Sequence, residues 1–517
     1  MKLDLNFIDS IKSKIEDAIL PAMQKIYMND GSVYADNYRP GFKEIEKVVS
    51  FYDYSATGIS VLAKLAVAGN ALALEIIRKI NKNIDYYRNN IYMHDIGDRT
   101  CWHVPLRRLL FHIALAYKRL CPILSETEKQ WYVDLVNEQV QMAIEHCSDF
   151  LPCKKDLHLE SVNNHTAIFM QGVYSCGKVF NRPEWMELTL DFAERYFASG
   201  HKDGYFEEHT NKDREGGPSL VYTPLTAGCL YDVLDGKGKV REKFIRAGNF
   251  CRSFLNCDFN RIPIADERTN SASALHCYGL ALHSLTSKGR FFIVKILESI
   301  DLSKCTPEHM AVMHHELDLM TCGDCSSSEN RIDGASRLSL PLGILRGNGF
   351  TAGISALRAL NRVIAKNSDY ALDQQNLLYL SHEKAGIILT GVKSKNDIDY
   401  STFRIGDDAY PVRTGALKMG GNWAEASICY ETFNAKIRWE IDKTAKLTLS
   451  ADTDKTITSS LPIVDDKFVK TDSYYETKQF SGFSPYTENN SDEGVKSIIF
   501  QWEKTLTIEF DMALGKE

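Results

Sequence analysis

The hydrophobic period of this chain changes once along its length, and that change constrains the fold more than any single motif. Up to about residue 370, apolar residues recur at helical spacing in segments of roughly ten to twenty residues, divided by Gly, Pro and Asn clusters. Ile59–Ala68, Leu106–Tyr117, Trp131–Ile144 and Met186–Phe197 are examples. Beyond about residue 375 the period becomes two, as in Ala385–Val392, Ser401–Ile405, Ala435–Ile441, Lys446–Ser450 and Leu506–Asp511. Short alternating runs rich in β-branched and aromatic residues, parted by Gly, Asn and Asp turns, predict an antiparallel sandwich.

About ten helices in succession imply helix hairpins rather than one bundle, and toroids or solenoids are the usual solutions. No repeat with a fixed signature emerges when the segments are overlaid, which disfavours tetratricopeptide and ankyrin arrays. The expected fold class is α+β multidomain: an N-terminal α/α toroid over 1–370 that carries any catalysis, then an antiparallel β-sandwich over 371–517. The polar stretch Lys366–Asp373 is the expected linker.

Charge narrows the partners. A formal net charge of −7 with no block of Lys or Arg argues against a nucleic-acid or membrane-surface protein, both of which need a concentrated positive patch. No run approaches the roughly 20 apolar residues that span a bilayer. Near the N-terminus Phe7, Ile8, Ile11, Ile15, Ile19 and Leu20 recur at helical spacing, as in an amphipathic helix and not a signal peptide. Thirteen cysteines, an odd number, lie mostly inside apolar segments, so reduced thiols and a cytoplasmic location are expected. The one CxxC, Cys322–Cys325, has no second half of a zinc site and reads as an incidental pair in a loop.

Two stretches carry candidate chemistry. In Glu160-Ser-Val-Asn-Asn-His-Thr-Ala167, Asn163, Asn164 and His165 stand at the head of a helical run, where they can point hydrogen-bonding groups into a cavity or simply cap the helix. Farther on, Asp203-Gly-Tyr-Phe-Glu-Glu-His209 and Arg214-Glu-Gly-Gly-Pro-Ser219 form an irregular loop, after which Tyr222 opens the next helix. Taken alone, Tyr222 could equally pack its ring with the hydroxyl satisfied.

Together these residues carry a resemblance. Asn-Asn-His, then an Asp-Gly-x-x-x-Glu and Gly-Gly-Pro-Ser loop, then a Tyr 57 residues beyond His165, resembles the heparinase II/III-like and alginate-lyase-like polysaccharide lyases. Ser381–Gly391 looks like the early sandwich segment of the same group. The resemblance implies an α/α toroid before a β-sandwich, with a His and a Tyr in the cleft, acting by β-elimination on an acidic oligosaccharide or polysaccharide. Asn164 would neutralise the uronate carboxylate, with Asn163 or an Arg helping. His165 or Tyr222 would take the C5 proton, and Tyr222 would protonate the leaving oxygen. No cofactor is expected. The resemblance leaves room for a structural metal ion in the sandwich, yet no His/Asp/Cys cluster in 375–517 compels one. Oligomeric state stays open.

Flanking residues are candidates for sugar binding. Arg99, Trp102 and His103 open a helix, and a Trp beside an Arg suits a stacked acidic ring, although core packing of Trp102 serves equally. Glu208, Arg214, Arg268, His276 and Arg337 complete the set, with Arg346 a further Arg in the Gly-rich stretch 330–349. His314-His-Glu316 matches half of a zinc-protease motif, but Leu319 stands where the second histidine would be needed, which leaves a polar helix face.

Two other readings compete. A glycoside hydrolase on an α/α toroid would use two opposed carboxylates, for which Glu207, Glu208, Asp213 and Glu215 are candidates, although they crowd one loop. A non-catalytic glycan-binding protein would need aromatic and Arg contacts without an acid/base pair. A lyase without a signal sequence is expected to act on imported oligosaccharides.

Overall fold

The computed structural model describes residues 1–28, 55–90, 108–146, 164–198, 200–206, 218, 220, 222–235, 238, 240–256, 258–262, 264, 277–326, 334–337, 339–357, 378–390, 402–406, 408–409, 412–479 and 496–516. The chain divides into two compact units. One comprises 1–212, 222–249 and 276–328, and the other 213–221, 250–275 and 329–517.

In the first unit the described helices are α1 (Leu5–Met28), α2 (Ile59–Val67), α3 (Ala71–Asn90), α4 (Leu109–Leu120), α5 (Glu126–His146) and α6 (Asn164–Val179). They continue with α7 (Pro183–Ala198), α8 (Tyr222–Val233), α9 (Arg241–Ser253), α10 (Leu280–His283), α11 (Ser287–Ser299) and α12 (Pro307–Leu319). The even-numbered helices close a ring: α2 packs on α4, α4 on α6, α6 on α8, α8 on α10, α10 on α12, and α12 returns to α2. The odd-numbered helices pack outside, α1 against α12 and α2, α5 against α4 and α6, α7 against α6 and α8. This is the expected α/α toroid. Each inner helix returns through an outer one, so successive inner helices run the same way and their N-termini share one end of the ring.

Local sequence explains the elements. Ile8, Ile11, Ile15, Ile19 and Met23 recur at three- and four-residue spacing on α1 and are buried, which confirms the amphipathic pattern. Helix α12 begins at Pro307, with the Thr306 hydroxyl accepting the His309 N–H at 3.2 Å. Inner helices α2, α4 and α8 are apolar on most of their surface because they are covered on both sides.

The second unit is an antiparallel sandwich. One sheet has the order β10 (Thr414–Met419), β11 (Trp423–Cys429), β12 (Asn434–Ile441), β13 (Ala445–Ala451), β18 (Thr505–Phe510), β15 (Val469–Lys470). The other runs β16 (Tyr475–Gln479), β17 (Lys496–Trp502), β14 (Ile457–Ile463), β7 (Gly386–Leu389), β6 (Leu378–His382), β5 (Phe350–Ser355), β4 (Leu342–Gly347), β3 (Gly334–Arg337), with β8 (Arg404–Ile405) paired to β14 and β9 (Asp408–Ala409) to β8. Ile437, Trp439, Leu447 and Phe510 of the first meet a common core with Leu380, Ile388, Leu461 and Phe500 of the second. Alternation is plain on β12, where Ala435, Ile437, Trp439 and Ile441 face the core and the residues between them face outward.

The strands of the sandwich begin at Gly334, earlier than the period change near residue 370 indicates. The reason is burial on both faces: every residue of β5 and β6 is buried, so neither alternates. The stretch also holds Gly343, Gly347, Gly349 and Gly353, which read as loop. Asn256 and Ile264 are tied to these strands, Asn256 Nδ2 donating to the Tyr379 hydroxyl at 3.0 Å and Ile264 covering Gly353. The expected linker Lys366–Asp373 lies outside the described residues. Among those described, no helix is long and apolar enough to cross a membrane.

Candidate active site

Asn164 is the first residue of α6 and Tyr222 the first of α8, so both stand at the N-terminal end of neighbouring inner helices. Asn164 is buried to 2% exposure, and its Oδ1 has no hydrogen-bond partner among the described residues. A buried amide with an open valence is uncommon, because an unmade hydrogen bond costs roughly 1–3 kcal/mol. Tyr222 is half-buried, and the next residue, Thr223, anchors the head of α8 by accepting the Phe206 N–H on its hydroxyl at 3.2 Å.

The relative height of the two follows from contacts lower in the ring. Gln171 Nε2 of α6 donates to Asp232 Oδ2 of α8 at 3.2 Å. Asn164 lies seven residues before Gln171, and Tyr222 ten before Asp232. At 1.5 Å per residue in parallel helices, the three-residue difference places Tyr222 roughly 4.5 Å, a little under one turn, beyond Asn164 along the ring axis. That offset is on the scale of a sugar ring.

Below them lies a polar layer. His315 Nε2 on α12 is 3.0 Å from the same Asp232 Oδ2, and Phe111 on α4 packs edge-on against the His315 ring at 4.5 Å. Burial raises the Asp232 pKa, but the His315 charge and the hydrogen bonds from His315 and Gln171 outweigh it, and the net shift is downward. Burial lowers that of His315, the Asp232 charge and hydrogen bond outweigh this, and its net shift is upward. Both shifts favour an ion pair.

A second buried group joins the segments heading α4, α10 and α12. The Tyr278 hydroxyl donates to Glu308 Oε1 at 2.8 Å, and Arg108 Nη1 donates to the same oxygen. Sequence reading missed Arg108, Gln171, Asp232, Tyr278 and Glu308. Gln171 and Asp232 are lone polar residues in apolar runs, a mismatch that could have flagged them, whereas Arg108 beside Arg107 and Glu308 between Pro307 and His309 carry no such signal.

Asn164 and Tyr222 thus occupy the helix heads expected of them, and His165 follows Asn164 in α6, its side chain outside the described residues. Arg99, Trp102, His103, Asn163, Glu208, Arg214, Arg268 and His276 also lie outside them, as do Glu207, Asp213 and Glu215. Arg337 is on β3 opposite Gly343, with its side chain outside the description. Arg346 is committed to structure, its Nη2 donating to the Ser253 and Leu255 carbonyls at 3.0 and 3.2 Å.

The polar helix face expected at His314-His-Glu316 is corrected. His314 is buried against Glu16 at 3.0 Å, His315 meets Asp232, and Glu316 accepts two backbone N–H groups. Three successive side chains point to three separate partners, which a turn of helix permits and a metal centre does not. Among the described residues no group of His, Cys, Asp and Glu could hold a metal ion. The CxxC cysteines are both free and flank β2 (Gly323–Asp324), which pairs with β1 (Lys2–Leu3).

No protein-family model matches the chain, and no curated protein matches its sequence. Solved structures do share its fold. Heparinase III superposes over 96% of this chain and 85% of its own at 12% identity, with a TM-score of 0.61. Chondroitin AC lyase of Streptomyces coelicolor A3, in complex with chondroitin sulphate, matches over 98% and 82% at 12% identity and TM-score 0.56. Heparan sulfate lyase HepC of Pedobacter heparinus matches over 97% and 83% at 10% identity and TM-score 0.51. Toroid and sandwich are therefore shared with these proteins.

Proposed function

We propose that the chain is a polysaccharide lyase that cleaves a uronic-acid-containing glycan by β-elimination, with Asn164, His165 and Tyr222 as its catalytic residues. The observation that carries this reading is the buried amide of Asn164, whose Oδ1 has no partner among the described residues, one helix away from Tyr222 at the same end of the ring. The fold shared with heparinase III and chondroitin AC lyase supports it.

The reaction gives each group a task. The C5 proton is α to a carboxylate and very weakly acidic until that carboxylate is neutralised. The Asn164 amide, turned so that Nδ2 faces the open valence, donates to the carboxylate and stabilises the charge that develops on it. His165 or Tyr222 accepts the C5 proton. The C5–H electron pair forms the C4=C5 bond, the C4–O bond breaks, and Tyr222 protonates the departing oxygen. A positioned acid or base is worth roughly 10²–10⁴ in rate. Asn163, Arg99, Trp102, His103, Glu208, Arg214, Arg268, His276 and Arg337 are proposed to hold the acidic sugars.

An absorbance screen over uronate-containing glycans, including heparan sulfate, chondroitin sulfate and alginate oligosaccharides, tests this. Elimination leaves a C4=C5 bond conjugated to the carboxylate, so a cleaved substrate gains ultraviolet absorbance. New reducing ends without any absorbance rise would assign a hydrolase instead, and binding without cleavage a glycan-binding protein.

A further inference from the structure

We propose that Asp232, gripped by His315 and Gln171, is a positioning residue that sets the height of Tyr222 against Asn164. The inference rests on the lyase reading above and concerns residues that do not touch substrate. Four inner helices are linked here: α6 through Gln171 and α12 through His315 hold the Asp232 carboxylate of α8, and α4 packs the Phe111 ring on His315. Two of the four, α6 and α8, carry Asn164 and Tyr222 at their heads.

Apolar packing alone would hold such helices together without fixing their axial offset sharply, because hydrophobic attraction is non-directional. Directional hydrogen bonds to one charged oxygen do fix it. Sliding α8 by a single residue moves it about 1.5 Å along α6. For bonds that cross between the helices, that step lengthens 3.0 and 3.2 Å to about 3.4 and 3.5 Å and tilts both, which weakens them, and it carries Tyr222 by about 1.5 Å. A misplacement of about 1 Å at reacting groups can cost on the order of 100-fold in rate. A buried ion pair is also poor value as glue, since apolar residues of similar volume are often as stabilising. Its placement on the helices that bear the proposed acid, base and carboxylate ligand points to geometry. Lys178 on α6 and Glu316 and Asp318 on α12 are the further charges that act on the pair.

The test is steady-state kinetics on the full chain with a glycan that gives the absorbance rise, comparing Asp232→Ala, Asp232→Asn, Gln171→Ala, the Gln171→Ala/Asp232→Ala double variant and Tyr222→Phe. The expected result is a fall in kcat of about 10- to 100-fold for Asp232→Ala, with KM within about twofold of the parent. Asp232→Asn keeps an acceptor oxygen and recovers most of the loss. The double variant is no slower than Asp232→Ala, because both changes cut one link. Parental kcat in Asp232→Ala beside an inactive Tyr222→Phe would overturn the positioning role and leave the lyase reading intact. Parental activity in Tyr222→Phe would instead sink the catalytic assignment. A crystal structure of Asp232→Ala provides a readout independent of turnover: Tyr222 unmoved relative to Asn164 overturns the inference whatever the activity.

Discussion

Glu316 Oε1 accepts the backbone N–H of Gly279 at 2.9 Å, and its Oε2 accepts that of Ala281 at the same distance. The carboxylate therefore caps the head of α10, the shortest inner helix, whose chain turns in through Gly279 at a φ of 76°. Gly279 also lies against Gly228 of α8, where a Cβ on Gly228 would sit 2.7 Å from the Gly279 nitrogen. A turn this close needs glycine on both sides and an acceptor beneath it.

Removing that acceptor should be costly. Glu316→Ala strands two buried N–H groups at roughly 1–3 kcal/mol each, so a loss of about 2–6 kcal/mol is expected in chemical denaturation. Gly279→Ala should also destabilise, since φ is positive and the added Cβ would stand 2.6 Å from the Pro224 carbonyl oxygen. A Glu316→Ala midpoint equal to that of the parent would show that the cap contributes nothing.

Tyr222→Phe removes one hydroxyl and is expected to lower kcat by roughly 10²–10⁴ with the fold intact. Asn164→Ala should cost about 10²–10³, as for loss of one donor to developing negative charge. Circular dichroism alongside the absorbance assay separates these losses from unfolding. Since the Asn164 Oδ1 is already unpartnered, Asn164→Ala should leave the melting temperature unchanged or raise it slightly.

Acid should weaken the toroid through two buried histidines. Burial lowers the pKa of His112 to about 3 and that of His314 to about 4, the latter despite its hydrogen bond to Glu16. The unfolded chain takes up protons below about 6.5 and the native one does not, so their contribution is complete above that pH. It drains away as pH falls from about 6.5 towards these values. His315, raised in the fold, acts in the opposite sense: its contribution is present at low pH and lost as pH rises through its folded pKa. His314→Gln should flatten the stability–pH slope between pH 6.5 and 4 by up to about 1.4 kcal/mol per pH unit. An unchanged slope in urea titrations would exclude His314 as a contributor.

In the sandwich, Gly415 of β10 lies directly against the Ala356 carbonyl, and a Cβ there would overlap that oxygen. Gly415→Ala is expected to destabilise this unit by about 1–3 kcal/mol through overpacking. Gly421, with nothing near its Cβ position, is the control and should tolerate Ala. Equal melting of the two variants would show that the strand yields freely.

Sequence and structure agree where periodicity is strong. The helices around Ile59–Ala68 and Met186–Phe197 and the strands at Ala435–Ile441 and Lys446–Ser450 emerge within a few residues of their expected places. Asn164 and Tyr222 were legible as helix heads because their own neighbours, a polar cluster and a Gly-Pro loop, mark those boundaries. Strands β3–β6 were not all legible, because strands covered on both faces lose alternation.

By itself, then, the sequence determined the helices, the strands that alternate, their order and the residues at two helix heads, since propensity and period depend on neighbours a few positions away. Only the tertiary structure decided what the buried polar residues do. His315 meets Asp232 across 83 residues, Arg108 meets Glu308 across 200, and His314 meets Glu16 across 298. Closure of the ring creates those encounters, and no local pattern encodes which distant helix will supply the partner. Burial makes the pairing obligatory, because each such group would otherwise lose its water without replacement.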